Sequence, residues 1–347
     1  MTNRNLSWKS ETLRVPIKLI PAGKDYLWGG SRLREEFAKK IKMTPLAETW
    51  ECSTHPDGLS YLADQPERSL HELLSEHPEL MGSHPAKSMP GTAGKGELPI
   101  LVKFIDAASD LSVQVHPDDE YARRFENGQF GKSEMWYVVD AAENAHLACG
   151  FSYDMTPESV RESVQNGTLE RHLLQIPVEK DDVFYIPAGT VHAIGAGSLI
   201  LEVQESSNLT YRLYDYHRKG KDGRERPLHL EKALQVANLK GNASPRQPMR
   251  VLRYRRGFAS ELLCRCRYFE VKRILLHTQE QEKSACKGVE FQTDDTSFHV
   301  LICTDGNGVL SCRSMNLSFA RGDTFFVPAG SVQIHMQGLA TLVDVNC

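Results

Sequence analysis

The sequence predicts a mainly β chain, two copies of one β-barrel with a small helical insertion, and three observations carry that reading. First, LPILVKFID (98–106), LSVQVHP (111–117), EMWYVVD (134–140), DVFYIPAG (182–189) and SLILEVQESS (198–207) are short runs rich in β-branched and aromatic residues, separated by Gly, Pro and Asp. Second, strand-like runs return from about residue 250: RYFEVKRILL, SFHVLICTD, DTFFVPAG and ATLVDV. Third, Asp182-Val-Phe-Tyr-Ile-Pro-Ala-Gly-Thr-Val-His192 recurs as Asp323-Thr-Phe-Phe-Val-Pro-Ala-Gly-Ser-Val-Gln333, at a constant offset of 141 residues. The shared Pro-Ala-Gly reverses the chain tightly, because Pro fixes φ and Gly accepts positive φ. One copy follows the turn with His192 and the other with Gln333.

Helical patterns lie between the strands. Ser69 opens LHELLSEHPEL with Leu70, Leu73 and Leu74 on one face. Thr156-Pro157-Glu158 reads as a cap, a first-turn Pro and an acidic first turn. LHLEKALQVANL (228–239) is the clearest amphipathic segment, and GNASPRQP after it reads as a linker. The expected division is 1–245, a catalytic domain with helical segments at about 66–82, 156–175 and 228–240, and 246–347, a second barrel lacking metal ligands.

Length and composition exclude several classes. The 347 residues suggest two or three domains at roughly 150 residues each. Hydrophobic residues at 40% and charged residues at 25% exclude a disordered chain, a collagen and a coiled coil. The net charge of −4 gives no reason to expect nucleic acid, and the cluster Arg250, Arg253, Arg255, Arg256 reads as a solvated face. No apolar run approaches the ~18 residues of a membrane helix, and the first twenty residues lack a signal-peptide core. The eight cysteines (Cys52, Cys149, Cys264, Cys266, Cys286, Cys303, Cys312, Cys347) form no C-x-x-C pair and read as reduced thiols, so the expected compartment is the cytoplasm.

One constellation carries chemistry. Gln114 and His116 leave the same face of an alternating strand; Glu134 opens the strand EMWYVVD; His192 follows the Pro-Ala-Gly turn. Two imidazoles, a carboxylate and an amide oxygen suit Zn, Mn, Co or Fe(II). A lone strand histidine is more often a satisfied hydrogen-bonding residue than a ligand, but four compatible residues on adjoining strand-turn units shift that balance.

The strings around these residues resemble a known family. They are Trp28-Gly-Gly, Ala47-Glu-Thr-Trp-Glu-Cys-Ser-Thr-His55-Pro, Leu111-Ser-Val-Gln-Val-His-Pro-Asp118, Gly131-Lys-Ser-Glu-Met-Trp-Tyr137, Ile186-Pro-Ala-Gly-Thr-Val-His-Ala193 and Glu202-Val-Gln-Glu-Ser-Ser-Asn-Leu-Thr-Tyr-Arg212. The barrel resembles the cupin superfamily of jelly-roll barrels. The strings, in order from residue 20 to about 240, are similar to type I mannose-6-phosphate isomerases of the shorter bacterial form. The resemblance implies metal ligands at Gln114, His116, Glu134 and His192, and one divalent metal per chain, expected to be Zn2+. It places the active-site arginine at Arg212, an acidic residue at Glu202, lysines at Lys132 and Lys103, a phosphate-binding serine at Ser112 and a basic residue at Arg218, in a loop shared with Lys219 and Lys221.

Interconversion of mannose 6-phosphate and fructose 6-phosphate moves a proton between C2 and C1 through a cis-enediolate. It requires an electrophile for the sugar oxygens, a proton carrier, and cations for the phosphate. Lys132 and Glu202 are the candidate carriers, with a water at the metal as a third. Lys103, Lys132, Arg212 and Arg218 put four positive charges near ligands that contribute one carboxylate, Glu134. Alternative readings are a cupin-fold isomerase of another sugar or sugar phosphate, a non-haem Fe(II) oxygenase on the same barrel, and a binding module without turnover. The expected partner is a small sugar phosphate, without nucleic acid or membrane, in a monomer or homodimer. Trp28, Trp50, Trp136, Tyr137 and His55 read as packing or cleft lining.

Overall fold

A computed structural model describes residues 13–85, 95–220, 222–241, 246, 250–278 and 288–347. Cys286, Lys221 and most of the GNASPRQP linker lie outside these residues. The architecture is mainly β, as the strand patterns require, and its contacts divide into two compact units that alternate along the chain.

One unit comprises Ala22–Trp50 and Ile100–Met249. It holds a six-stranded sheet in the order Val183–Ile186, Glu134–Ala141, Ser198–Glu205, Ile100–Ala107, Glu48–Cys52, Ala22–Lys24. A five-stranded sheet runs Leu173–Pro177, His146–Phe151, His192–Ile194, Val113–Val115, Tyr211–Tyr214. Both sheets feed one core: Ile105, Trp136, Val138, Phe184 and Ile200 from the first meet Leu147, Cys149 and Ile194 from the second. Each fully buried side chain of this size contributes about 1.5–3 kcal/mol relative to exposure. On its other face the five-stranded sheet carries Val113, Val115, Val191, Ala193 and Leu213, covered by Val160 and Val164 of the helix Pro157–Gln165 and Ala233 of the helix Leu230–Val236. Covering both faces leaves little tolerance for polar side chains, so those that do point into the first core are exceptional.

The other unit comprises Met1–Pro21, Glu51–Pro99 and Arg250–Cys347. Its eleven-stranded sheet places Ile17–Ile20 beside Thr324–Val327, with Ile17 opposite Phe326. The helix Leu70–Glu76 is opened by a capping box, Glu72 N–H to Ser69 Oγ at 3.1 Å and Ser69 N–H to Glu72 Oε2 at 2.8 Å. In place of one helix over 66–82, the chain makes a strand (Gln65–Ser69), this helix and a 3-10 turn (Pro78–Met81), because Pro78 cannot continue the helical ladder.

The repeat is visible in three dimensions. Val183–Ile186 and Thr324–Val327 are equivalent strands, and Gly189 and Gly330 take φ of +86° and +107° after them. Beyond the turns the copies diverge. His192 is buried, whereas Gln333 is exposed and the core is filled by Ile334 and Met336. Ser331, with φ of +61°, lies where the second copy departs.

Candidate metal centre

The sheets dictate which side chains meet. His192 pairs with Gln114 on one side and Arg212 pairs with Gln114 on the other, so the three form a row on one face of the five-stranded sheet. Glu134 begins its strand in the six-stranded sheet and meets them through the shared core. The ligand atoms of His116, Glu134 and His192 lie within 4.8 Å of one another, and all three residues are buried. His116 Nδ1 lies 2.7 Å from Leu209 O and His192 Nδ1 lies 2.9 Å from Thr190 O. A carbonyl only accepts, so both Nδ1 atoms carry hydrogen and both Nε2 lone pairs are turned inward. His116 Nε2 is 3.6 Å from Glu134 Oε2, and His192 Nε2 is 3.3 Å from Glu134 Oε1. The Gln114 amide reaches His192 Nε2 at 3.3 Å.

Burial pushes the imidazoles toward their neutral, metal-binding form. His116 falls well below the ordinary value through burial and the neighbouring Lys132 and His192, and His192 falls to about 4 through burial and Lys132. Glu134 moves up through burial and the charge of Glu202, with Lys132 pulling the other way. Glu134 Oε1 is fully buried yet receives no hydrogen bond. Lys132 Nζ lies 3.2 Å from His116 Nε2, but nothing donates to Glu134 Oε1, which faces the His192 Nε2 lone pair; a divalent cation would satisfy both acceptors, so the donor set fits a metal.

Behind this trio lies a charged layer. Lys132 Nζ is 2.5 Å from Glu134 Oε2 and 3.7 Å from Glu202 Oε1; Lys103 Nζ is 3.0 Å from Glu202 Oε1 and 3.8 Å from Glu48 Oε2. Trp136 Nε1 donates to Glu202 Oε2 at 2.9 Å and Trp50 Nε1 to Glu48 Oε2 at 2.7 Å. Burial raises the pKa of Glu202, but Lys103 and Lys132 outweigh it and hold the carboxyl well below the usual range. Burial opposes the charge of Lys103 and is outweighed in turn by Glu202 and Glu48.

Comparison with known proteins decides the family. Residues 17–146 match the model of the phosphomannose isomerase type I catalytic domain, and residues 261–347 that of the mannose-6-phosphate isomerase cupin domain. A putative mannose-6-phosphate isomerase of Bacillus subtilis is 32% identical over 333 residues, covering 94% of this chain and 98% of that protein. The chain belongs to the type I mannose-6-phosphate isomerases. A mannose-6-phosphate isomerase of Streptococcus mutans is 41% identical over 223 residues, 63% of this chain and 67% of that protein. The crystal structure of the Bacillus subtilis mannose 6-phosphate isomerase superposes with a TM-score of 0.82 at 31% identity, covering 95% of this chain and 99% of that one. The cupin fold of the sequence reading holds, and membership of this isomerase family implies a metal, for which the His116, Glu134 and His192 cluster is the site.

The remaining expected residues of this isomerase are placed unequally. Arg212 sits beside Gln114, with one guanidinium nitrogen donating to Pro227 O at 2.9 Å and a buried Nε without a partner. Ser112 is buried one residue before the strand that carries Gln114. Arg218 is tied through its two terminal nitrogens to Asp215 at 2.6 Å and to Asp110 O, while its buried Nε, like that of Arg212, has no partner. Arg226, which the sequence reading passes over, binds both oxygens of Asp215 at 2.7 and 2.6 Å. Glu48 and Asp215 also escape it, although Glu48 lies two residues before Trp50 in a quoted string, a spacing that places both on one strand face. They change the charge balance. Lys103, Lys132, Arg212, Arg218 and Arg226 face Glu48, Glu134, Glu202 and Asp215, a net of one positive charge in place of the large excess the sequence suggests.

Proposed function

We propose that this chain interconverts mannose 6-phosphate and fructose 6-phosphate, with one Zn2+ held by Gln114, His116, Glu134 and His192. The observation that carries it is the buried His116, Glu134 and His192 trio, with its unpartnered Glu134 oxygen, backed by paired lysines and flanked by Arg212. A divalent cation there supplies the Lewis acid that polarises the sugar's carbonyl and hydroxyl oxygens. Two imidazoles, one carboxylate and an amide favour Zn2+, which takes nitrogen and oxygen donors alike. Gln114 binds through its amide oxygen, which requires the amide to present Oε1 where its nitrogen now faces His192; the two orientations have the same shape.

The residues then divide the work. Glu202 is held ionised by Lys103, Lys132 and Trp136, which makes it a weak base and a firm anchor. Its task is to orient the two lysines. Lys132 Nζ, at the edge of the ligand set, exchanges the proton between C2 and C1. Arg212, whose Nε is unpartnered, donates to the developing enediolate or to the phosphate. Ser112 and Lys103 support substrate binding, and Arg218 does so through the Asp215 cluster. The catalytic work lies within 1–245; the strands from 250 onward, which share their sheet with Ile17–Ile20, hold no His, Cys or carboxylate cluster able to bind a metal among the described residues.

Seven cysteines among the described residues are free thiols, which supports the reducing cytoplasm as the compartment. No described helix is long and apolar enough to cross a membrane. The test is fructose 6-phosphate formation by the metal-loaded protein. Turnover that disappears in His116→Ala with loss of metal supports the reading; a loaded protein that leaves mannose 6-phosphate unchanged overturns it.

A further inference from the structure

Lys132 sits on a loop whose neighbouring amides are both gripped by carboxyls. Gly131 N–H donates to Asp119 Oδ1 at 3.0 Å, and Ser133 N–H donates to Glu205 Oε1 at 2.7 Å. Lys132 N–H itself donates to Pro117 O at 3.0 Å, and Glu205 N–H to Ser133 O at 3.1 Å. The loop lies tight against the start of the helix Asp119–Phe125: a Cβ on Gly131 would stand 2.4 Å from Asp119 N. Glu205 is completely buried, and its Oε2 receives no N–H or O–H. The Asp119 carboxyl is near enough to Glu205 for its charge to act on it. Two carboxyls can share a hydrogen bond only when one of them carries a proton.

We propose that Glu205 and Asp119, joined by one shared proton, are positioning residues for Lys132: they grip the amides on either side of it and hold its Nζ against Glu134 and Glu202. Burial and the charge of Asp119 push the Glu205 carboxyl up to about 8, which agrees with Glu205 as the partner that carries the proton. The protonated acid donates to Asp119 through one oxygen while the other accepts from Ser133. A glutamine has the same pattern, with its NH2 as donor and its carbonyl as acceptor; an alanine has neither. The inference rests on the role assigned above to Lys132.

The experiment compares Glu205→Ala, Glu205→Gln and Lys132→Ala, each metal-loaded, by kcat, KM, metal content and thermal unfolding. A loop displaced by about 1 Å costs on the order of a hundredfold in rate. Glu205→Ala is therefore expected to lose about thirty- to a hundredfold in kcat with KM within about threefold and a full metal complement. Glu205→Gln is expected to recover kcat to within about threefold of wild type, a rescue that a purely volumetric role would not distinguish from other isosteres. Asp119→Ala, at a partly exposed position, gives the same kcat loss and replaces Glu205→Ala if that variant does not fold. A folded, metal-replete Glu205→Ala with wild-type kcat beside a crippled Lys132→Ala overturns the clamp alone, as does Glu205→Gln as slow as Glu205→Ala. An active Lys132→Ala overturns the role given to Lys132, and the clamp's purpose with it.

Discussion

Glu202→Gln probes the charged layer behind the ligands. Glu202 is 3% exposed, shares Oε1 between Lys103 at 3.0 Å and Lys132 at 3.7 Å, and accepts from Trp136 at 2.9 Å. The amide keeps the shape and can still accept from Trp136, so the change isolates the charge. Lys103 is left with Glu48 at 3.8 Å, and Lys132 with Glu134. Breaking one side of a buried ion pair costs about 3–5 kcal/mol; retention of the tryptophan bond favours the low end, about 3 kcal/mol. At about 2–4 °C per kcal/mol for a domain of this size, Tm should fall by about 6–12 °C at pH 7. The pH dependence has a defined sign. A carboxyl held below its ordinary value contributes stability that is present above the unfolded pKa and is lost as pH falls through the folded one. The gap between wild type and Glu202→Gln should therefore be constant from pH 8 to about 5 and shrink only as pH falls from about 4.5 toward about 2. Because Lys132 loses its anchor, kcat should fall by at least about a hundredfold. Differential scanning calorimetry across pH, with isomerase kinetics, measures both. An unchanged Tm and kcat in Glu202→Gln would refute the anchoring role.

Elemental analysis should give one metal per chain, absent when His116→Ala and His192→Ala are combined; two metals per chain, or retention in the double variant, contradicts the site, since the second copy exposes Gln333 and buries Ile334. Arg212→Ala should lower kcat/KM by at least about a hundredfold with metal content unchanged, the scale of losing one preorganised donor. Mannose 6-phosphate should be turned over at least about a thousandfold better than mannose, roughly 4 kcal/mol, which two or three charge-assisted contacts supply. Equal kcat/KM for the two sugars would favour a free-sugar isomerase.

What the sequence shows of this site depends on how local each cause is. Gln114 and His116 are legible because strand alternation at i and i+2 fixes their common face, and His192 because the repeated Pro-Ala-Gly turn marks the strand it opens. Ser69 and Thr156 are legible as caps, and both accept the expected backbone N–H. Pairings across long separations leave no local trace. Ile17–Ile20 lies beside Thr324–Val327, an arrangement no window of sequence contains. The same applies to Glu48 beside Lys103 and to Asp215 between Arg218 and Arg226, and for that reason the positive charge of the site is overestimated when lysines and arginines are counted along the chain. The repeat is legible as far as the turn and no further: Gln333 aligns with His192 but is exposed, with Val332 and Ile334 buried on either side of it.

The most direct measurement is the formation of fructose 6-phosphate from mannose 6-phosphate by the purified chain, stripped of metal with a chelator and then titrated with Zn2+. The account predicts no turnover in the stripped protein and recovery that saturates at one equivalent per chain, with no recovery in His116→Ala. Full activity in the stripped protein, or recovery in His116→Ala, would contradict it.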